Sequence, residues 1–161
     1  MISINLTQTA EYALRAMSSL ALGAEQGPMR ANELAASTAV PLAYLWKIMR
    51  RMVAAGLVVS AKGHGGGFRL ARPAEAISYM DILGVVGYDA KAGDCVFGWG
   101  QCRSDKPCPM HNTWSKLNES FVGWAHTTTL ASFGSPVAGA APSGRARKAK
   151  SLRPPDRALE A

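Results

Sequence analysis

Outside the stretch from Cys95 to Cys108 this 161-residue chain has no cysteine, and that stretch holds all three of them. That leaves no obvious disulfide partner for an odd third thiol, and free thiols fit a reducing compartment. Long hydrophobic runs are also missing. The longest apolar stretches are amphipathic or broken by Gly and charge, short of the roughly 20 residues of a membrane span. The opening MISINLTQTAEYALR has no signal-peptide pattern, so a cytoplasmic protein with no membrane partner is expected. Catalytic signatures are absent as well. No Gly-Lys-Ser/Thr follows the glycine run at 63–67, no dinucleotide fingerprint opens a helix, and no carboxylate constellation accompanies the cysteines. The chain is not expected to be an enzyme.

Acidic residues are scarce too, 11 against 18 Lys and Arg, for a formal charge of +7 and a pI near 9.7. Such a balance points to a polyanionic partner. Part of it lies in the segment 134–161, where Gly, Pro, Ser and Ala accompany six cations and two carboxylates, leaving +3 for the preceding 133 residues. That composition cannot repay the entropy of ordering, so the segment is expected to be a disordered basic tail, either a solvated extension or a weak nonspecific DNA contact.

What is present is a sequence of short amphipathic units. Thr9 to Leu22 carries Ala10, Ala13, Leu14, Met17, Leu20 and Ala21 at helical spacing, and Asn32 to Ser37 is a second, shorter helix. A turn through Thr38, Ala39 and Val40 leads to Pro41, which suits the first turn of a third helix. From Pro41 to Ala55 a stripe of Leu42, Leu45, Ile48, Met49 and Met52 opposes Ala43, Lys47, Arg50 and Ala54, giving one buried and one basic face. Residues 57–62 and 68–71 then form two strands around the glycine-rich turn. The expected fold is mostly α with a small β-hairpin: a winged helix-turn-helix over 1–75, a cofactor loop and long dimerisation helix over 76–133, and the tail. A fourth helix over 76–86 precedes the cysteines. A fifth, over 113–133, spaces Trp114, Leu117, Phe121 and Trp124 as a helix packed on another helix would. Too little chain follows to cover that stripe, which makes a second subunit its natural cover.

A recognition helix reads bases with its first exposed turns and meets phosphates further along. Ala43, Trp46 and Lys47 are the base-facing candidates, with Tyr44, Arg50 and Arg51 placed to meet the backbone. In the wing, Lys62, His64 and Arg69 bracket glycines that let the chain approach DNA closely. A charged face alone is often just a solvated one; its combination with the preceding helix, turn and hairpin points to duplex DNA.

Cys95, Cys102 and Cys108 are separated by six and five residues, and His111 lies three positions beyond Cys108. Thiolates select iron-sulfur clusters, zinc or copper(I). Structural zinc favours short Cys-x2-4-Cys pairs, whereas only Cys108 and His111 are that close here. Three thiolates leave an iron-sulfur cluster in need of one more ligand, an arrangement open to attack by small molecules.

Tyr12-Ala-Leu-Arg-Ala16, Tyr44-Leu45, Gly56-Leu-Val58, Lys62-Gly-His-Gly-Gly-Gly-Phe68, Asp81-Ile82 and the three-cysteine loop together resemble the Rrf-two family of bacterial regulators, the IscR-, NsrR- and RirA-like proteins, over residues 3–133. The resemblance implies a homodimer on a palindromic operator, crossing C-terminal helices, and an iron-sulfur cluster whose oxidation, nitrosylation or loss changes DNA affinity. Carried over, Cys95, Cys102 and Cys108 hold the cluster, two-iron or four-iron. The fourth ligand is His111, where one branch supplies a histidine, or Glu11, where another supplies a carboxylate from the partner subunit; His111 is preferred because imidazole binds a cluster better. Arg15 stands where a third branch has a histidine, which excludes that mode. A repressor relieved by nitric oxide, oxidant or iron scarcity is the implied output. The alternatives are a winged-helix regulator with a zinc site or no metal, sensing through thiols or a protein partner, and an electron carrier or enzyme using Cys-His chemistry. Trp46 and Ala43 depart from the polar residues found at the reading positions of IscR-like proteins, so no operator sequence is carried over.

Overall fold

The computed structural model describes residues 6–88, Phe97 and residues 103–133. Cys95, Cys102 and the tail expected over 134–161 lie outside the described residues. Five helices and one hairpin follow each other in the order α1 (Gln8–Leu22), α2 (Ala31–Thr38), α3 (Leu42–Ala54), β1 (Val58–Ala61), β2 (Gly67–Leu70), α4 (Tyr79–Val85) and α5 (His111–Thr127). Among the described residues no helix is long and apolar enough to cross a membrane.

Helix α1 is the centre. Its buried face is built from Ala10, Ala13, Ala16, Met17 and Leu20. Small side chains there allow α2, α3 and α4 to approach closely, all three packing on it. Thr7 starts the helix by accepting the Ala10 N–H at 3.2 Å, and Gly23 ends it. At α2 the Glu33 carboxylate accepts the Arg30 N–H at 2.9 Å, satisfying one of the donors a helix start leaves open. Ala39 then takes a left-handed conformation, φ 54°, to turn the chain into α3. An L-residue accepts this at a cost of about 1 kcal/mol, and the closely packed turn fixes it.

Helix α3 begins one residue later than its proline suggested. Pro41 is the N-cap, its carbonyl accepting the N–H groups of Tyr44 and Leu45. Leu45, Ile48, Met49 and Met52 are buried as expected, but Leu42 is not; in the first turn it projects beyond the core and is 39% exposed. The hairpin pairs Val58 with Leu70 and Ala61 with Gly67. It is no free ribbon. Met29, between α1 and α2, exchanges both backbone hydrogen bonds with Phe68 at 2.9 and 2.8 Å, adding a one-residue third strand.

Two boundaries differ from the periodicity for one shared reason. The fourth helix starts at Tyr79, not 76, and the fifth ends at Thr127, not 133. Residues 77–79 and 128–130 pair as a short antiparallel bridge: Leu130 N–H donates to Ile77 at 3.0 Å and Tyr79 N–H to Thr128 at 3.0 Å. Backbone groups engaged across the molecule are withdrawn from the helices on either side. Ser78 caps α4 reciprocally with Asp81, and residues 130–133 form a 3-10 turn. The fifth helix also starts two residues earlier than expected, at His111.

One buried cluster runs from Ala10 through Met52 and Phe68 to Ile82, Phe121 and Leu130. The aromatic stripe of α5 is therefore partly covered by its own chain, through α4. Phe121 is buried against Tyr88, and Trp124 stacks on Tyr79 with centroids 5.2 Å apart and planes at 24°. Leu117 and Trp124 nonetheless remain 42% and 46% exposed.

Candidate functional site

The amphipathicity of α3 decides which side chains face outward. With Leu45, Ile48, Met49 and Met52 held in the core, Ala43, Tyr44, Trp46, Lys47, Arg50 and Arg51 are all exposed. Lys62, His64 and Arg69 on the wing are exposed too. Between Leu34 and Ala74 the chain carries six cations and no carboxylate, so these elements present positive charge alone.

A groove of about 390 Å³ separates the start of α2 from α3 and the wing. Arg30, Asn32, Trp46, Lys62, Gly66 and Gly67 are among its lining, and none of the described lining residues is acidic. Glycine is required in this wall by close approach: a Cβ on Gly67 would lie 2.5 Å from the Met29 carbonyl oxygen. At the wing tip Gly63 and Gly65 take φ of 93° and 81°, which L side chains rarely adopt. Arg30 and Asn32 escaped the sequence reading. They reach the groove because Met29, just before them, is bonded through its backbone to Phe68 of the wing, and nothing local to their sequence signals it.

On the other side of α3 a line of contacts reaches α1. The Lys47 ammonium lies 5.7 Å over the Tyr44 ring, Tyr44 meets Tyr12 edge-on at 6.0 Å, and the Arg15 guanidinium lies 5.8 Å over Tyr12. Glu11 completes the line with an ion pair to Arg15 at 3.8 Å, both side chains half-exposed. A pair this open contributes less than about 1 kcal/mol.

Of the thiol ligands expected, Cys108 is described and is half-buried where the loop enters α5. Its carbonyl accepts the His111 N–H at 2.9 Å. Thiol and imidazole thus belong to one backbone turn, a soft donor and a borderline one suited to iron-sulfur or zinc ligation. Among the described residues no three His, Cys, Asp or Glu side chains converge, so Glu11 is not brought to Cys108 and His111 within one chain. In the segment between Cys102 and Cys108, Arg103 grips Asp105 through two bonds of 2.8 and 2.6 Å. This guanidinium holds the Asp105 carboxyl below the usual carboxylate range.

Residues 6–135 match the Rrf2 family model, described as an iron-dependent transcriptional regulator. The chain is 32% identical over 127 residues to the HTH-type transcriptional regulator IscR of Klebsiella pneumoniae strain 342, covering 79% of this chain and 77% of that one. Among solved structures it is similar to IscR of T. potens, with a TM-score of 0.62 and 25% identity over 80% of this chain and 85% of the other. The fold is shared with CymR (YrzC) of B. subtilis, TM-score 0.69 at 23% identity, over 82% of this chain and 99% of that one. Staphylococcus aureus CymR in its oxidized form gives 0.61 at 25% identity, over 79% and 93%. With its winged helix-turn-helix built on an acid-free basic face, the chain belongs to the Rrf2 family of transcriptional regulators.

Proposed function

We propose that the protein is a cytoplasmic homodimeric repressor that binds a palindromic operator and carries an iron-sulfur cluster on Cys95, Cys102 and Cys108, with His111 as fourth ligand in preference to Glu11 of the partner subunit. The observation that carries this reading is the half-buried Cys108 joined by a backbone hydrogen bond to His111 at the first turn of α5. A bound cluster would supply a centre open to oxidant, nitric oxide or iron loss. The rest falls to the chain. Cys108 and His111 tie the loop to α5; α5 packs on α4, and α4 on α1. Exposed Leu117 and Trp124 on α5 offer apolar surface to a second subunit. Half-sites must lie about one DNA turn apart, so a small change in subunit spacing strongly weakens binding.

A second reading is favoured by the likeness to S. aureus CymR, a regulator solved in an oxidized form: a zinc site or no metal, with sensing through thiols or a protein partner. Iron, acid-labile sulfide and zinc measured in protein purified without oxygen separate the two. Near-equal iron and sulfide, with operator affinity falling when they are lost, is the expected result. Zinc alone, or no metal after attempted reconstitution, would leave the DNA-binding half standing and remove the cluster.

A further inference from the structure

Trp46 combines exposure with a fixed orientation. It is 48% exposed, yet its ring meets Phe68 edge-on, with centroids 5.5 Å apart and planes at 68°. Phe68 is itself immobilised, 5% exposed and bonded through both backbone groups to Met29. One position three residues earlier on the same helix face is Ala43, too small to cover the indole. What remains presented is a rigid apolar surface with a single N–H donor and no acceptor. It stands in the groove flanked by Arg30 and Lys62, while Gly66 and Gly67 leave the opposite wall low.

The occupant that matches is duplex DNA: the cations suit phosphate, and the indole suits an apolar base edge. The major groove offers one apolar group, the 5-methyl of thymine. We infer that Trp46 is a specificity-determining residue that selects thymine at one position of each half-site through its 5-methyl group, with Phe68 holding the indole in reading orientation. The inference rests on the DNA-binding reading above and is independent of any cofactor. Rigid bracing matters because a ring already fixed loses little rotamer freedom when it binds. Polar reading by Lys47 on the same helix then serves neighbouring positions.

The test begins by selecting bound sequences from randomised duplex DNA with the full chain. Each thymine of the selected site is then replaced in turn by deoxyuridine, which removes the methyl group alone, and affinity is read by fluorescence anisotropy. One thymine per half-site is expected to show about a fourfold loss, the value of burying one methyl. In Trp46→Ala that difference vanishes while the other positions keep their preferences. Trp46→Gln, which keeps length and adds polarity, is expected to lose the methyl dependence too, and thermal unfolding of both confirms intact folds. The inference is overturned if no thymine responds to deoxyuridine, or if both variants bind uniformly weaker with the same site profile. Failure of wild type to enrich any sequence would overturn the DNA-binding reading itself, a distinct result.

Discussion

The hydroxyls of Ser18 and Tyr79 meet 3.3 Å apart in the core, joining the middle of α1 to the first residue of α4. Tyr79 is 4% exposed, and its ring also carries the stacked Trp124 of α5. This pair thus connects the helix on which α3 packs to α4 and, through the Tyr79–Trp124 stack, to the helix that follows the cysteine loop.

Ser18→Ala leaves a buried phenol without its partner and is expected to cost about 1–3 kcal/mol. Adding Tyr79→Phe should restore most of that, because both polar groups are then gone; urea denaturation of the single and double variants checks it.

Burial pushes the Tyr79 phenol above its ordinary range, with the Ser18 hydrogen bond opposing, and burial alone pushes Tyr88 the same way. A folded pKa above the unfolded one means the folded state holds the proton more tightly. This contribution is fully present below the unfolded tyrosine value near 10 and is lost as pH rises through the folded values. Urea midpoints should therefore fall above about pH 10, less steeply in Tyr79→Phe.

Two glycine substitutions should move stability in opposite directions. Gly67→Ala drives a Cβ to 2.5 Å from the Met29 carbonyl oxygen. Separating the wing from Met29 is expected to cost about 1–3 kcal/mol and to weaken operator binding. Gly84→Ala, at an exposed position of α4 with nothing within 4 Å of the added carbon, should gain roughly 0.5–1 kcal/mol. Thermal melts of the two variants report the signs.

On the proposed cluster, Cys108→Ser and His111→Ala should lower iron and sulfide per chain, while Glu11→Ala leaves them unchanged. Loss in Glu11→Ala with retention in His111→Ala would reverse the assignment and give the fourth ligand to the partner subunit. Metal and sulfide analysis decides it.

Arg50→Ala should weaken binding equally across DNA sequences and reduce the slope of log affinity against log salt by about 1 for each phosphate it no longer neutralises. Lys47→Ala should instead alter sequence preference. Salt titrations on two operators distinguish them.

Helices α1 to α3 and the hairpin were legible because each carries its own apolar stripe and its own stop signals. Gly23, Ala39 and Gly56 sit where those patterns break. The start of α4 and the end of α5 were not, because residues 77–79 find their hydrogen-bond partners at 128–130, fifty positions away in the chain. No local periodicity encodes that pairing. The exposed face of α3 followed directly from its buried one, since Leu45, Ile48 and Met52 leave Trp46, Lys47 and Arg50 nowhere else to point. Leu42 departs from its stripe because a helix's first residue shares the spacing while lying past the edge of the core. Arg30 and Phe68 gained their roles through the wing's bond to Met29, again a long-range event.

That bond to Met29 also governs how the wing responds when the molecule is pulled. A hairpin hinged only at its ends would bend; one stitched to the chain between α1 and α2 tilts together with α2 and α3. In the homodimer proposed above, each protomer would then meet DNA like a rigid jaw of fixed tooth pattern. There, whatever acts on α5 would change how far apart the two jaws stand, and would leave unaltered the letters that either one bites.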